Sequence, residues 1–62
     1  MRKADYAALA EIIRIGRERV KAEIAEPYKA AHLHSLRYVA EEFAARASVN
    51  RAEFLKACGI EP

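Results

Sequence analysis

The chain has 62 residues, of which 53% are apolar and 32% charged, and its net charge is +2. A chain this short forms one domain at most and buries only about 60% of the surface that its unfolded form exposes. One cysteine excludes an intramolecular disulfide, and one cysteine with two histidines is too few for a four-ligand zinc site. We therefore expect one domain over residues 1–62 that gains stability as a homodimer or other homo-oligomer.

The composition also bears on where the protein works. No apolar run approaches the roughly 20 residues that a membrane span needs, so no membrane partner is expected. Met1-Arg2-Lys3 carries charge, but no apolar segment follows it, which predicts that there is no signal peptide. A lone cysteine is typical of a reducing compartment, so we expect a cytoplasmic protein.

The first predicted helix covers about residues 4–25, since alanine is abundant there and apolar side chains recur at steps of three and four. The predicted core face holds Tyr6, Leu9, Ile13, Gly16, Val20 and Ile24. Gly16 within this face predicts close approach of another backbone. Ile12 and Ile15 lie on the flank and widen the apolar arc beyond what contact with one helix needs. We expect these two isoleucines to form a dimer contact.

The connection after the first helix is predicted at Pro27. Proline disfavours helical geometry at the preceding Glu26 but is well tolerated at the first position of a helix. The sequence therefore predicts a break near Ala25 and Glu26, followed by a second, antiparallel helix over about residues 27–47. A single long helix kinked at Pro27 is the alternative.

The second helix has an apolar face and an opposite polar face. The apolar face holds Leu33, Leu36, Ala40, Phe43 and Ala47, flanked by His32, Val39 and Ala44. The polar face holds His34, Tyr38, Glu41 and Glu42. Tyrosine is enriched at interaction hot spots, so we predict that these four residues bind another protein. Plain solvent exposure of Tyr38 is the alternative interpretation.

A short, capped third helix is predicted at about residues 51–58. Asn50 is a preferred N-cap residue, and Glu53 stands three residues later, as in a capping box. Val49 and Phe54 have the spacing of a hydrophobic staple across the start of this helix.

The end of the third helix is also marked in the sequence. Gly59 is the expected left-handed stop, and Ile60 is expected to contact Leu55 in a Schellman closure. Phe54, Leu55 and Cys58 are predicted to face the two-helix hairpin. The segment from Asn50 to Pro62 would thus close an all-α fold.

We expect no catalytic, metal or cofactor site. His32 and His34 project about 200° apart on a helix and cannot chelate one ion within one chain, although a metal bridged across a dimer is an alternative. No catalytic signature surrounds Cys58, which is predicted to be a buried and unreactive thiol. Glu41 and Glu42 project about 100° apart, and so small a chain has little room for a cleft. Enzyme activity is therefore not expected.

A basic ridge of Arg14, Arg17 and Lys21 is predicted opposite the apolar face of the first helix. Such a ridge could contact phosphates. The net charge is mild, however, and glutamates on the second helix would repel a duplex. A nucleic-acid-binding transcriptional regulator is therefore the alternative to a protein-binding module.

The two ends of the chain resemble a group of small proteins encoded by phages and prophages. Met-Arg-Lys-Ala-Asp-Tyr is similar to their basic-Asp-Tyr start, with Ala4 as an additional residue. Ala-Glu-Phe-Leu-Lys-Ala-Cys-Gly is similar to their Phe-Leu-x-Ala-Cys helix. The resemblance implies an accessory protein without catalytic residues. Phage accessory proteins of this size include anti-CRISPRs and other inhibitors that occlude a larger host protein, an analogy that predicts a host or phage protein as partner.

Overall fold

A computed structural model describes residues 2–61, and within that range it contains three helices and no strand. The helices are α1 (Lys3–Glu23), α2 (Tyr28–Arg46) and α3 (Arg51–Ala57). The predicted all-α fold with two long helices and one short helix is confirmed, and each observed boundary lies within two residues of its predicted position. Met1 and Pro62, the predicted ends of the domain, lie outside the described residues.

The chain turns between α1 and α2 at the predicted proline. The backbone of Ile24 is extended, and its N–H donates to the carbonyl oxygen of Val20 at 3.0 Å, which ends α1. Pro27 caps α2, and the N–H of Lys29 donates to the carbonyl oxygen of Ala25 at 3.0 Å. Proline thus lies where its missing N–H costs no helical hydrogen bond. The turn is confirmed, and the kinked single helix is excluded.

The two long helices form an antiparallel hairpin, as predicted. Tyr6 near the start of α1 contacts Phe43 near the end of α2, with ring centroids 5.8 Å apart. Further along, a Cβ built on Gly16 would lie 3.8 Å from Cδ1 of Leu36. Within residues 2–61 no backbone atom of another element lies within 4 Å of that Cβ, so the predicted close backbone approach is wrong. Its neighbour is a side chain.

The start of α3 has the predicted Asn50 cap, but the predicted capping box is wrong, because the Asn50 N–H makes no return bond to the Glu53 carboxylate. The backbone N–H of Glu53 donates to the side-chain oxygen of Asn50 at 3.0 Å, which satisfies one of the otherwise unpaired donors of the first turn. Val49 is partly buried and packs against the core cluster that contains Phe54, as a staple requires. These contacts fix the direction in which the chain enters α3.

The end of α3 has the predicted Schellman closure. Gly59 has a φ of 77°, a left-handed conformation that favours glycine. Its N–H donates to the carbonyl oxygen of Lys56 at 3.0 Å, and the N–H of Ile60 donates to that of Leu55 at 2.9 Å. Ile60 and Leu55 are both buried, so the closure also contributes to the core.

The core lies between α3 and one side of the hairpin. Its buried side chains among the described residues are Ala10, Ile13, Ala40, Ala44, Phe54, Leu55, Cys58 and Ile60. The last four belong to the C-terminal segment, whereas three of the four from the hairpin are alanines. Small side chains on the hairpin let α3 approach it closely, and the C-terminal segment provides most of the buried apolar volume.

None of the helices within residues 2–61 combines the length and the apolar character that crossing a membrane requires.

The two glycines provide a first test of this fold, because alanine should have opposite effects at the two positions. At Gly16 the new Cβ meets Leu36 at an ordinary contact distance, so Gly16→Ala should raise the free energy of unfolding by about 0.5–1 kcal/mol. At Gly59 the Cβ would be in a left-handed residue and 3.3 Å from Cγ of Arg14, so Gly59→Ala should lower it by about 1–2 kcal/mol.

Denaturant unfolding followed by circular dichroism, at one chain concentration, measures both effects. A destabilising Gly16→Ala would show that a neighbouring surface, from the other helix or from a second copy, lies closer to this position than described. A neutral Gly59→Ala would show that the left-handed stop is absent.

Candidate interaction surfaces

Arg17 is not on a solvent-exposed ridge. It is partly buried, and its Nη1 donates to the carbonyl oxygen of Leu33 at 3.2 Å, which links α1 to α2. Its Nε is buried without a hydrogen-bond partner. Arg17 follows the buried Ile13 by four residues, so it lies on the same side of the helix. The predicted position opposite the apolar face is therefore wrong for this residue.

The other two residues of the predicted ridge are exposed but lie beside acidic groups. Nη2 of Arg14 is 3.9 Å from the Glu11 carboxylate, and Nζ of Lys21 is 3.6 Å from that of Glu18. Exposed ion pairs of this kind lie on a solvated helix surface and contribute little to stability. The structure thus leaves two partly neutralised cations on this side of α1 and places the third between the helices.

Glu41 of the predicted recognition patch already makes contacts within the chain. One of its carboxylate oxygens lies 3.3 Å from Nε of Arg37 on the same helix and 3.3 Å from Nη2 of Arg51 on α3. The second contact joins α2 to the first residue of α3. Glu41 is therefore already paired within the chain, with arginines of both α2 and α3.

The remaining patch residues are on the outer side of α2. Tyr38 is 60% exposed, and His34 is also exposed. The carboxylate of Glu42 is paired with Nη2 of Arg46 at 3.2 Å. The structure places all four patch residues on one side of the helix, with Tyr38 as the large uncovered side chain and the two carboxylates already paired.

A more extended apolar surface lies on the hairpin opposite α3. Ile12 on α1 is 66% exposed and Val39 on α2 is 52% exposed. Gly16 follows Ile12 by four residues on α1, and Leu36 precedes Val39 by three residues on α2. Gly16 and Leu36 lie beside each other between the two helices. We call Ile12, Gly16, Leu36 and Val39 the open hairpin face.

Ile12 and Val39 lie at about the same height along the hairpin. The contact between Tyr6 and Phe43 fixes one level and that between Gly16 and Leu36 another. Ile12 lies between these two levels on α1. In an antiparallel pair, the position between the same levels on α2 is near Val39. The two most exposed aliphatic side chains of the hairpin are thus neighbours on one surface.

Sequence reasoning found Ile12 and Ile15, the latter 44% exposed, but did not identify Val39 as a surface residue. A signal for it was present. Val39 follows Leu36 by three residues and widens the apolar arc of α2 as Ile12 widens that of α1. The widened apolar arcs of the two helices together indicate that Ile12 and Val39 belong to one surface.

A shallow groove of about 400 Å³ runs between the N-terminal part of α1 and α3. Ala7, Ala10, Val49 and Phe54 form its apolar wall, and Lys3 and Glu53 lie among its lining residues. Within residues 2–61, no three His, Cys, Asp or Glu side chains group as metal ligands would. The apolar wall of the groove suits contact with apolar groups.

Cys58 is fully buried in the core, as predicted. Burial raises the pKa of its thiol, and the nearby positive charge of Arg17 only partly opposes that shift. The thiol is therefore neutral and shielded, which is the state of a structural cysteine and not of a nucleophile.

The raised pKa of Cys58 predicts a pH dependence of stability. The unfolded thiol ionises from about its ordinary pKa of 9.0, whereas the folded thiol keeps its proton to higher pH. The folded state then binds more protons, so stability should fall as the pH rises above that value. Cys58→Ala should remove this part of the loss. Unfolding of both proteins in denaturant at neutral pH and at about pH 10 measures the difference; equal losses in the two proteins would show that Cys58 ionises freely.

No family model matches the chain, and no similar curated protein or solved structure is found. The surfaces described above are therefore the basis for the functional proposal.

Proposed function

We propose that the protein is a small helical interaction module that forms a homodimer and acts by binding a larger host or phage protein. The observation that carries this proposal is the open hairpin face, where large aliphatic side chains remain exposed although the core of the chain is small. A chain of this size usually needs an additional source of stability. Burial of these side chains against a second copy would provide it.

The total exposed surface supports self-association. The chain exposes 4695 Å². A compact monomer of 7.0 kDa is expected to expose roughly 4,000 Å². The excess is several hundred square ångströms, and each partner in a standard protein interface buries about 800 Å².

The proposed contact with the larger protein uses the outer side of α2. Tyr38 provides a rigid, amphipathic side chain there, with His34 beside it. Glu41 and Glu42 would form a charged rim whose carboxylates are already oriented by arginines. Such a surface could occlude a site on its partner without any chemistry of its own.

The resemblance of the chain ends to phage and prophage proteins agrees with this mode of action. We accordingly propose a phage-type accessory protein of the cytoplasm, acting as an inhibitor in the manner of an anti-CRISPR. This part of the proposal is an analogy from size and from the terminal motifs.

Nucleic-acid binding has less support. Of the three cations proposed for it, Arg17 is hydrogen-bonded between the helices, while Arg14 and Lys21 lie beside glutamates. Phosphate contacts need cations that are free to replace the counterions of the duplex.

Self-association can be tested by replacing the exposed isoleucines with charged residues. Wild-type protein should have twice the chain mass in sedimentation equilibrium at high micromolar concentration. The double variant Ile12→Glu with Ile15→Glu should have the mass of one chain, because the interface would then bury carboxylates without partners. Ala45→Glu, an exposed position on the outer side of α2, is the control and should leave the dimer intact.

Circular dichroism of each variant should show the helical content of the wild type, so that a change in mass reports on association alone. A wild-type monomer at this concentration would contradict the homodimer. A double variant that keeps the dimer mass would place the contact elsewhere.

A further inference from the structure

We propose that the second copy binds the open hairpin face with its α1 antiparallel to α1 of the first copy, so that Ile12 and Val39 lie at the two-fold axis. This inference rests on the proposed homodimer and adds its symmetry and register. Three observations carry it: the spacing of one exposed stripe on α1, the charges at the ends of that stripe, and the position of Val39.

The stripe on α1 consists of Asp5, Ala8, Ile12, Ile15 and Arg19. Successive members are separated by three, four, three and four residues, and all five are exposed. Steps of three and four residues keep all five on one side of the helix. The stripe lies outside the core face of α1. That helix therefore packs against α2 through one face and has a second face that no other described residue covers.

The charges at the two ends of the stripe select the antiparallel orientation. Asp5 precedes Ile12 by seven residues, and Arg19 follows it by seven. If two copies of α1 cross antiparallel at Ile12, each Asp5 lies opposite Arg19 of the other copy. A parallel arrangement would instead place like charges together, which is unfavourable.

Both charged groups have unused capacity for such a contact. One carboxylate oxygen of Asp5 accepts the backbone N–H of Arg2 at 2.9 Å, which leaves the other oxygen. Nε of Arg19 lies 3.7 Å from the Glu23 carboxylate, and the guanidinium carries five N–H donors. The Arg19 side chain is also 71% exposed, so it can reorient towards a second copy.

The same register places small residues where the two helices would approach. Ala8 lies four residues before Ile12 and Gly16 four residues after it, so each Ala8 would face Gly16 of the other copy. These residues leave room for Ile12 to pack against its own counterpart. A patch that meets itself across a two-fold axis in this way is what a symmetric dimer requires.

The second helix fits the same axis. Because Val39 lies at the height of Ile12 on the same surface, an axis through the level of Ile12 also brings Val39 towards Val39 of the second copy. Two copies would then form a four-helix bundle, with each α3 on an outer side. The hairpin would be covered on both faces.

Charge reversal tests the register. Arg19→Glu places a carboxylate opposite Asp5 of the second copy and should raise the dimer Kd about tenfold at low salt. Adding Asp5→Lys should restore the Kd to within about threefold of wild type. Lys21→Glu is the matched control: it makes the same charge change on the same helix and also removes a contact with a nearby glutamate, but it lies outside the stripe. It should change the Kd less than about twofold.

Cross-linking tests the axis independently. A residue on a two-fold axis meets its own counterpart, so Ile12→Cys should form a disulfide-linked dimer with oxidised glutathione. Ala31→Cys, at an exposed position on α2, should not, and wild-type protein should not because Cys58 is buried.

The outcomes separate this inference from the proposed function. A monomeric wild-type protein overturns both. If Asp5→Lys raises the dimer Kd further when combined with Arg19→Glu, the antiparallel register is wrong and the homodimer still stands. The same conclusion follows if the protein is a dimer but Ile12→Cys does not form a cross-link.

Discussion

The docking of α3 on one side of the hairpin is the contact on which the rest of the structure depends. α3 and the residues after it bury Phe54, Leu55, Cys58 and Ile60, whereas the hairpin contributes mostly alanine to the same core. Without this segment the fully buried side chains of the hairpin would be mostly alanines, which is too little buried apolar surface for a stable fold. A helix of seven residues would in turn be unstable alone in water, so its caps and its docking are needed together.

The same contact leaves the molecule asymmetric, and the functional proposal follows from that asymmetry. One side of the hairpin is covered by α3, whose first residue, Arg51, is paired with Glu41 of α2. The other side exposes Ile12 and Val39 with nothing in the described part of the chain to cover them. A second copy of the same surface would cover these side chains, while the outer side of α2 with Tyr38 would stay available to a different protein.

The sequence predicted the features that depend on residues close together in the chain. The Asn50 cap, the Gly59 stop and the break at Pro27 are each specified within a few residues, and all three were correct. Features that depend on packing between helices were harder. The prediction for Arg17 was wrong because it relied on the charge of the side chain. Its position one turn after Ile13 indicates the buried side of the helix instead. The pairing of Glu41 with Arg51 needed the docked position of α3, which no local pattern contains.

The most direct test of this account is the stability of Phe54→Ala at a fixed chain concentration, since the proposed dimerisation would make stability depend on concentration. Phe54 is 5% exposed and its ring centroid lies 5.2 Å from that of Phe43. If α3 closes the core, the variant should lose about 3–5 kcal/mol of unfolding free energy and much of its cooperative thermal transition. Lys56→Ala, on the exposed side of the same helix, should change it by less than about 0.5 kcal/mol. A Phe54→Ala protein that melts at the temperature of the wild type would contradict the docking of α3.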